Sequence, residues 1–99
     1  MEEIKLQLDE NRRGEFKLMV DGKEAGEMAI AVGDNRLTVF HTEVDPELEG
    51  KGYAKQLLAT MVDYARKNHL KVAPICPFVH AQFKRHPEQY ADLWKPGEV

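Results

Sequence analysis

The sequence predicts a mixed α/β domain: a four-stranded antiparallel meander, then a helix, a parallel fifth strand and short C-terminal helices. Three observations predict it. Residues 4–44 alternate apolar and polar side chains in runs broken by Gly, Asp and Asn. Residues 54–65 switch to a helical period. A second β-like run follows the helix, so the chain must cross back to the sheet, which makes that strand parallel to the fourth with a right-handed crossover.

Ile4-Lys5-Leu6-Gln7-Leu8 alternates as a half-buried strand, and Asp9 to Gly14 is a turn. Phe16 to Val20 is the second strand. Asp21-Gly22 is a hairpin signal that demands positive φ. Lys23 to Val32 is the third strand, with Gly26 marking a bulge, and Gly33-Asp34-Asn35 turns the chain again. Arg36 to Val44 is the fourth strand and ends in Asp45-Pro46. Ala54, Leu57, Leu58, Met61 and Ala65 then share one face of a helix from Gly52 to His69. Leu70 to Cys76 reads as the fifth strand, with Pro74 placing it at an edge or near a strand end. Pro77 opens a short helix to about Arg85, and His86-Pro87 breaks it. Tyr90, Leu93 and Trp94 supply a last apolar helical turn, and Lys95 to Val99 fray.

Ninety-nine residues form one domain, spanning 1–99, with a single core. No apolar stretch has membrane-span length, and the acidic N-terminus, Met1-Glu2-Glu3, is unlike a signal peptide. The lone cysteine, Cys76, forbids an internal disulfide and fits a reducing compartment, so a cytoplasmic location is expected. No metal site is expected, because the four histidines lack ligand spacing. The net charge of −3 hides an asymmetry: residues 1–50 carry six Lys/Arg against thirteen Asp/Glu, and the remainder eight against four. The basic half begins at the glycine turn, which suits a polyphosphate. Without a dense basic run, nucleic acid is not an expected partner, and nor is a membrane.

The segment Glu49-Gly50-Lys51-Gly52-Tyr53-Ala54 carries the chemistry. It lies between a strand and a helix start, with no Ser, Thr, Asp or Asn immediately ahead to cap the first N–H groups. Such a turn makes an anion cradle at the positive end of a helix dipole. A dinucleotide-binding turn needs a third glycine after a first parallel strand, and a phosphate loop needs Gly-Lys-Ser/Thr; neither is present. The plainer reading is that Gly50 and Gly52 only let the chain turn.

The order of elements and this segment resemble the GNAT superfamily of acetyl-CoA-dependent N-acetyltransferases. Its phosphate motif, Gln/Arg-x-x-Gly-x-Gly/Ala, matches residues 49–54, with Glu49 departing at the first position. His41-Thr42-Glu43-Val44 and Pro74-Ile75-Cys76-Pro77-Phe78-Val79 resemble signature segments of its small stand-alone members. The resemblance covers roughly residues 15–95 and implies a shortened fold, without the helices between the first two strands and without the C-terminal strand pair. It implies acetyl-CoA or coenzyme A as donor, held at Val44, Glu49, Gly50, Lys51, Gly52, Tyr53 and Ala54. Phe83 and Lys84 are expected beside it, and His80 at its border. The acceptor it implies is a small-molecule or peptide amine.

Within that frame the Val44 N–H is expected to polarise the acetyl carbonyl, a contribution of about 3 kcal/mol for one well-placed donor. Cys76 is expected as an acetyl-carrying nucleophile or as the acid that protonates the leaving sulfur. Its plainer role is a small buried filler. Strand alternation puts His41 and Glu43 on one face and Thr42 and Val44 on the other. His41 and Glu43 are the candidate bases; a packing histidine and a solvated carboxylate are the plainer readings. Phe83 stands where larger relatives often carry a proton-donating Tyr, and Phe has no proton to give. Two further functions stay open: a coenzyme A or acyl-CoA-binding module with little catalysis, and a small interaction domain.

Overall fold

A computed structural model describes residues 1–97. The strands are β1 (Glu2–Leu8), β2 (Arg13–Val20), β3 (Lys23–Val32), β4 (Arg36–Val44) and β5 (Lys71–Pro74). The helices are α1 (Tyr53–Lys67) and α2 (Pro77–Arg85), with one 3₁₀ turn at Pro46–Leu48. The sheet order is β1-β2-β3-β4-β5, antiparallel through β4 and parallel between β4 and β5, as the crossover requires. Asp21 and Gly22 take positive φ of 51° and 82° in the β2–β3 hairpin, the conformation the Asp-Gly pair favours.

The core lies on one face of the meander. Phe16 pairs with Met28, Ile30 with Val39 and Val32 with Leu37, and all six are buried. Against that face α1 lays Leu57, Leu58, Met61, Val62 and Ala65. Each such large side chain contributes about 1.5–3 kcal/mol on leaving water. Helix α1 ends in a Schellman turn: Leu70 N–H donates to Ala65 O (2.8 Å) and His69 N–H to Arg66 O (3.3 Å). His69 adopts the left-handed conformation that glycine usually supplies there.

Several elements differ from expectation. Strand β5 is four residues long and stops at Pro74, whose ring nitrogen has no hydrogen to extend the ladder. The expected final helix at Tyr90–Trp94 is a set of turns, closed by Leu93 and Trp94 N–H groups on Tyr90 O. That stretch covers the outer edge of β5, where Val72 N–H donates to Leu93 O (2.9 Å). The frayed tail expected at Lys95–Val99 falls partly outside the described residues, which stop short of residues 98 and 99.

Two register shifts matter for the site. Near Gly26, Leu18 pairs with Gly26 but Met19 with Glu24, so the extra residue is Ala25 rather than the glycine. Gly26 instead permits close approach: a Cβ there would lie 2.6 Å from Glu43 O. On β4, Ala29 pairs with His41 and Ile30 with Val39, leaving Phe40 as a bulge. This bulge reverses the parity of the strand. Leu37 and Val39 face the core, and beyond Phe40 that role passes to Thr42 and Val44. His41 and Glu43 therefore lie on the open face, beside Glu15, Lys17 and Glu27.

Among the described helices none is long and apolar enough to cross a membrane. Two carboxyls give opposite pH dependences. Hydrogen bonds from Arg66 to Asp92 (2.9 and 3.3 Å) hold the Asp92 carboxyl below its usual range. That stabilisation is present above the ordinary Asp value and is lost as pH falls through the lowered folded value. Asp92→Asn should cost about 0.5 kcal/mol near neutrality, with the gap to wild type closing as the solution is acidified. A hydrogen bond shared with Glu15, then burial, then repulsion from Glu15 and Glu24, raises the Glu27 carboxyl. Its contribution is present below the ordinary Glu value and is lost as pH rises through the raised one. Glu27→Gln should therefore raise the thermal midpoint more near neutrality than in mild acid, as thermal melts across that range would show.

Candidate active site

The Asp45 carboxylate caps the 3₁₀ turn by accepting from the Glu47 N–H (3.0 Å). Glu49 then runs extended, and Gly50 and Gly52 both turn left-handed, at φ 85° and 82°. A Cβ at either glycine would meet nothing, so glycine is needed for its backbone angle rather than for space. Gly52 is the N-cap of α1, without a side-chain cap, and its carbonyl accepts from the Gln56 N–H (3.1 Å). The first turn of α1 contains no acidic residue. Its leading N–H groups thus open outward at the positive end of the helix dipole.

They open onto a groove of about 380 Å³ lined by Val44, Leu48, Glu49, Gly50, Gly52, Tyr53, Ala54, Lys55 and Phe78. Of the residues expected at a donor site, Val44, Glu49, Gly50, Gly52, Tyr53 and Ala54 meet here, and Lys51 lies exposed between the glycines. Leu48, Lys55 and Phe78 were not expected. Leu48 and Lys55 flank the glycine segment, and that proximity was an available signal. Phe78 follows Pro77 in α2, and only the tertiary fold reveals its place in the groove.

Phe83 and Lys84 do not reach the groove. Phe83 is fully buried, with ring centroids 4.6 Å from Tyr90 and 5.9 Å from Trp94, so the expectation that it touches a ligand is corrected: it is a core residue. Lys84 is exposed elsewhere on α2, and His80 packs edge-on against Trp94 at 5.5 Å.

Val44 borders this groove at the end of β4, beyond a gap in the pairing of β4 and β5. Pairing stops at Val39 and Pro74, and the Cys76 N–H donates to Val39 O (2.9 Å) as the last rung. Beyond it the strands part. The Asp45 N–H donates toward β3, to Ala25 O (2.7 Å). Strand alternation therefore turns the amides of Val44 and Thr42 away from β3, toward the gap. Cys76 is the N-cap of α2, with its sulfur 3.4 Å from Thr42 Oγ1 and the residue 2 % exposed. His41 lies across the sheet from Cys76, so the two expected catalytic groups are not brought together.

Val44 also borders a second recess, of about 330 Å³, with Glu24, Glu27, Glu43 and Asp45 in its wall. Glu43 thus lies beside Val44 in an acidic recess on one side while the groove at the glycine turn lies on the other. Lys17 bridges Glu15 (3.5 Å) and Glu24 (3.9 Å) at the margin of this acidic surface. The sequence shows an acidic N-terminal half, but gathering these carboxylates requires the β2–β3–β4 register.

A family profile described as GCN5-related N-acetyl-transferase matches residues 15–93. No curated protein sequence matches the chain. Among solved structures, a GCN5-like protein from Staphylococcus aureus is 31% identical, with a TM-score of 0.66, over 92% of this chain and 85% of its own. The ribosomal-protein-S18-alanine N-acetyltransferase of Escherichia coli is 25% identical (TM-score 0.62), over 67% of this chain and 43% of that enzyme. A ribosomal-protein-alanine N-acetyltransferase of Brucella melitensis is 25% identical (TM-score 0.62), over 82% of this chain and 62% of its own. The chain therefore spans less than two thirds of those two enzymes. The strand order, the glycine turn at the start of α1 and the profile match agree: this chain belongs to the GCN5-related N-acetyltransferase family.

Proposed function

We propose that this protein is an acetyl-CoA-dependent N-acetyltransferase that acts on a cationic amine. The carrying observation is the uncapped start of α1, with Gly50 and Gly52 left-handed, opening onto a groove beside the free edge of β4. The donor set fits a pyrophosphate: main-chain N–H groups at a helix N-terminus, with Lys51 and Lys55 adjacent. Glu49 adds no positive charge, so the main chain carries the grip. The Val44 and Thr42 amides offer hydrogen bonds along the gap, and a donor aimed at a developing oxyanion contributes about 3 kcal/mol. Acetyl-CoA supplies the activated thioester.

The recess walled by Glu24, Glu27, Glu43 and Asp45 suits the approach of a protonated amine, such as a polyamine, a lysine side chain or a chain terminus. Glu43, next to Val44 on β4 and in the wall of the recess, is assigned as the group that takes the amine proton, directly or through water. His41, next but one along the same face, is the alternative base. Cys76, in the gap, either attacks the acetyl carbonyl and carries the acetyl as a thioester, releasing coenzyme A thiol, or protonates the leaving sulfur.

A coenzyme A-binding module with little turnover is the second reading. It is favoured by the burial of Cys76 and by the absence of an acid at Phe83.

Isothermal calorimetry with coenzyme A tests the site. We expect binding that weakens about fivefold in Gly52→Ala, since a left-handed non-glycine residue costs about 1 kcal/mol or distorts the cradle. Absence of heat at millimolar ligand would leave only an interaction domain. Mass spectrometry after incubation with acetyl-CoA, in the absence of amine, should find one acetyl group on Cys76. An unmodified Cys76 together with thiol release on adding a polyamine would exclude the covalent route. No thiol release from any amine would favour the binding module.

A further inference from the structure

We propose that Thr42 is a positioning residue for Cys76, its hydroxyl holding the sulfur in the gap between β4 and β5. The inference deepens the reading above, since it concerns the same gap. Thr42 Oγ1 lies 3.4 Å from Cys76 Sγ, and either atom can donate. The sulfur does not cap α2, and Pro77, at the first helical position, has no N–H to offer it. Among the contacts of the described residues, the Thr42 hydroxyl is the polar partner of this buried thiol.

The backbone arranges this contact at some cost. On a regular strand Thr42 would share the face of Thr38, opposite Leu37 and Val39. The Phe40 bulge turns it to the core face, opposite Met28, where a half-buried hydroxyl needs a hydrogen-bonding partner. Valine fills the same volume and suits a strand at least as well. What threonine adds at this position is the hydroxyl. Cys76 is held from its own side as well: its N–H bonds to Val39 O (2.9 Å) and its carbonyl accepts from the His80 N–H (3.0 Å). With the backbone fixed at both groups, the remaining freedom of the sulfur is rotation about its side-chain bond. The Thr42 contact selects one rotamer.

The test uses the intact protein, in which Cys76 is the single cysteine. Raman spectroscopy gives one S–H stretching band, and its frequency reports hydrogen bonding at the sulfur. Thr42→Val should move that band, and Thr42→Ser should restore it. Alkylation of Cys76 by iodoacetamide should slow about tenfold in Thr42→Val, the rate equivalent of one hydrogen bond, and recover in Thr42→Ser. Circular dichroism checks the fold, and Thr42→Ala replaces the valine variant if that variant misfolds. An unmoved band with unchanged alkylation, or a serine variant that behaves like valine, would overturn the assignment. Coenzyme A calorimetry on the same variants separates the two readings. Normal binding with an altered thiol supports Thr42 as a positioning residue. Lost binding in wild type sinks the function proposed above, while the band and the alkylation rates still decide the Thr42–Cys76 contact.

Discussion

The hydrogen bond from Cys76 N–H to Val39 O is where the sheet stops being a sheet. Up to that rung β4 and β5 pair in parallel; past it Pro74 has ended one strand and Phe40 bulges from the other. A crossover strand that stayed in register would bury the amides of Thr42 and Val44 in a continuous ladder. Because it departs, those amides are left outside the ladder, and Val44 comes to border the groove at the glycine-led start of α1. The core on one side of the meander holds both strands in place while they part.

Charge follows the same geometry. The helix dipole, Lys51 and Lys55 make one side of Val44 receptive to anions. Glu24, Glu27, Glu43 and Asp45 make the other side receptive to cations. A single strand end thus separates two fields of opposite sign. In the acyl transfer proposed above, between a polyphosphate carrier and a protonated amine, such a separation would let each partner approach from its own side.

The fold was legible because its signals are local. The Asp-Gly hairpin, the alternation in β1 to β4 and the apolar stripe of α1 each follow from neighbouring residues. The glycine turn at residues 49–54 was legible for the same reason: two glycines and a missing cap lie close together in the chain. What escaped depends on register. Apolar residues sit at odd positions 37 and 39 and then at even position 44, a parity jump that announces a bulge, yet the run reads as one regular strand. The acidic recess collects residues from β3 and β4 that only pairing brings together. Phe83 has no polar atom to betray its position, and helical spacing alone leaves its face ambiguous until Tyr90 and Trp94 fold onto it. The apolar run from Leu70 to Cys76 conceals the end of β5, because burial continues where hydrogen bonding does not.

The Phe40 bulge has a consequence for how this segment tolerates insertions and deletions. Removing one residue between Val39 and His41 would leave Leu37 and Val39 packed as they are, so the upstream half of the strand would notice little. Downstream, His41 opposite Ala29 and Thr42 opposite Met28 already follow on from Val39 opposite Ile30, so the faces would stay as they are. Thr42 and Val44 would still face the core, and their amides would still point away from β3. The bulge is thus one spare residue: losing its codon would straighten the strand and leave the residues beyond it in register.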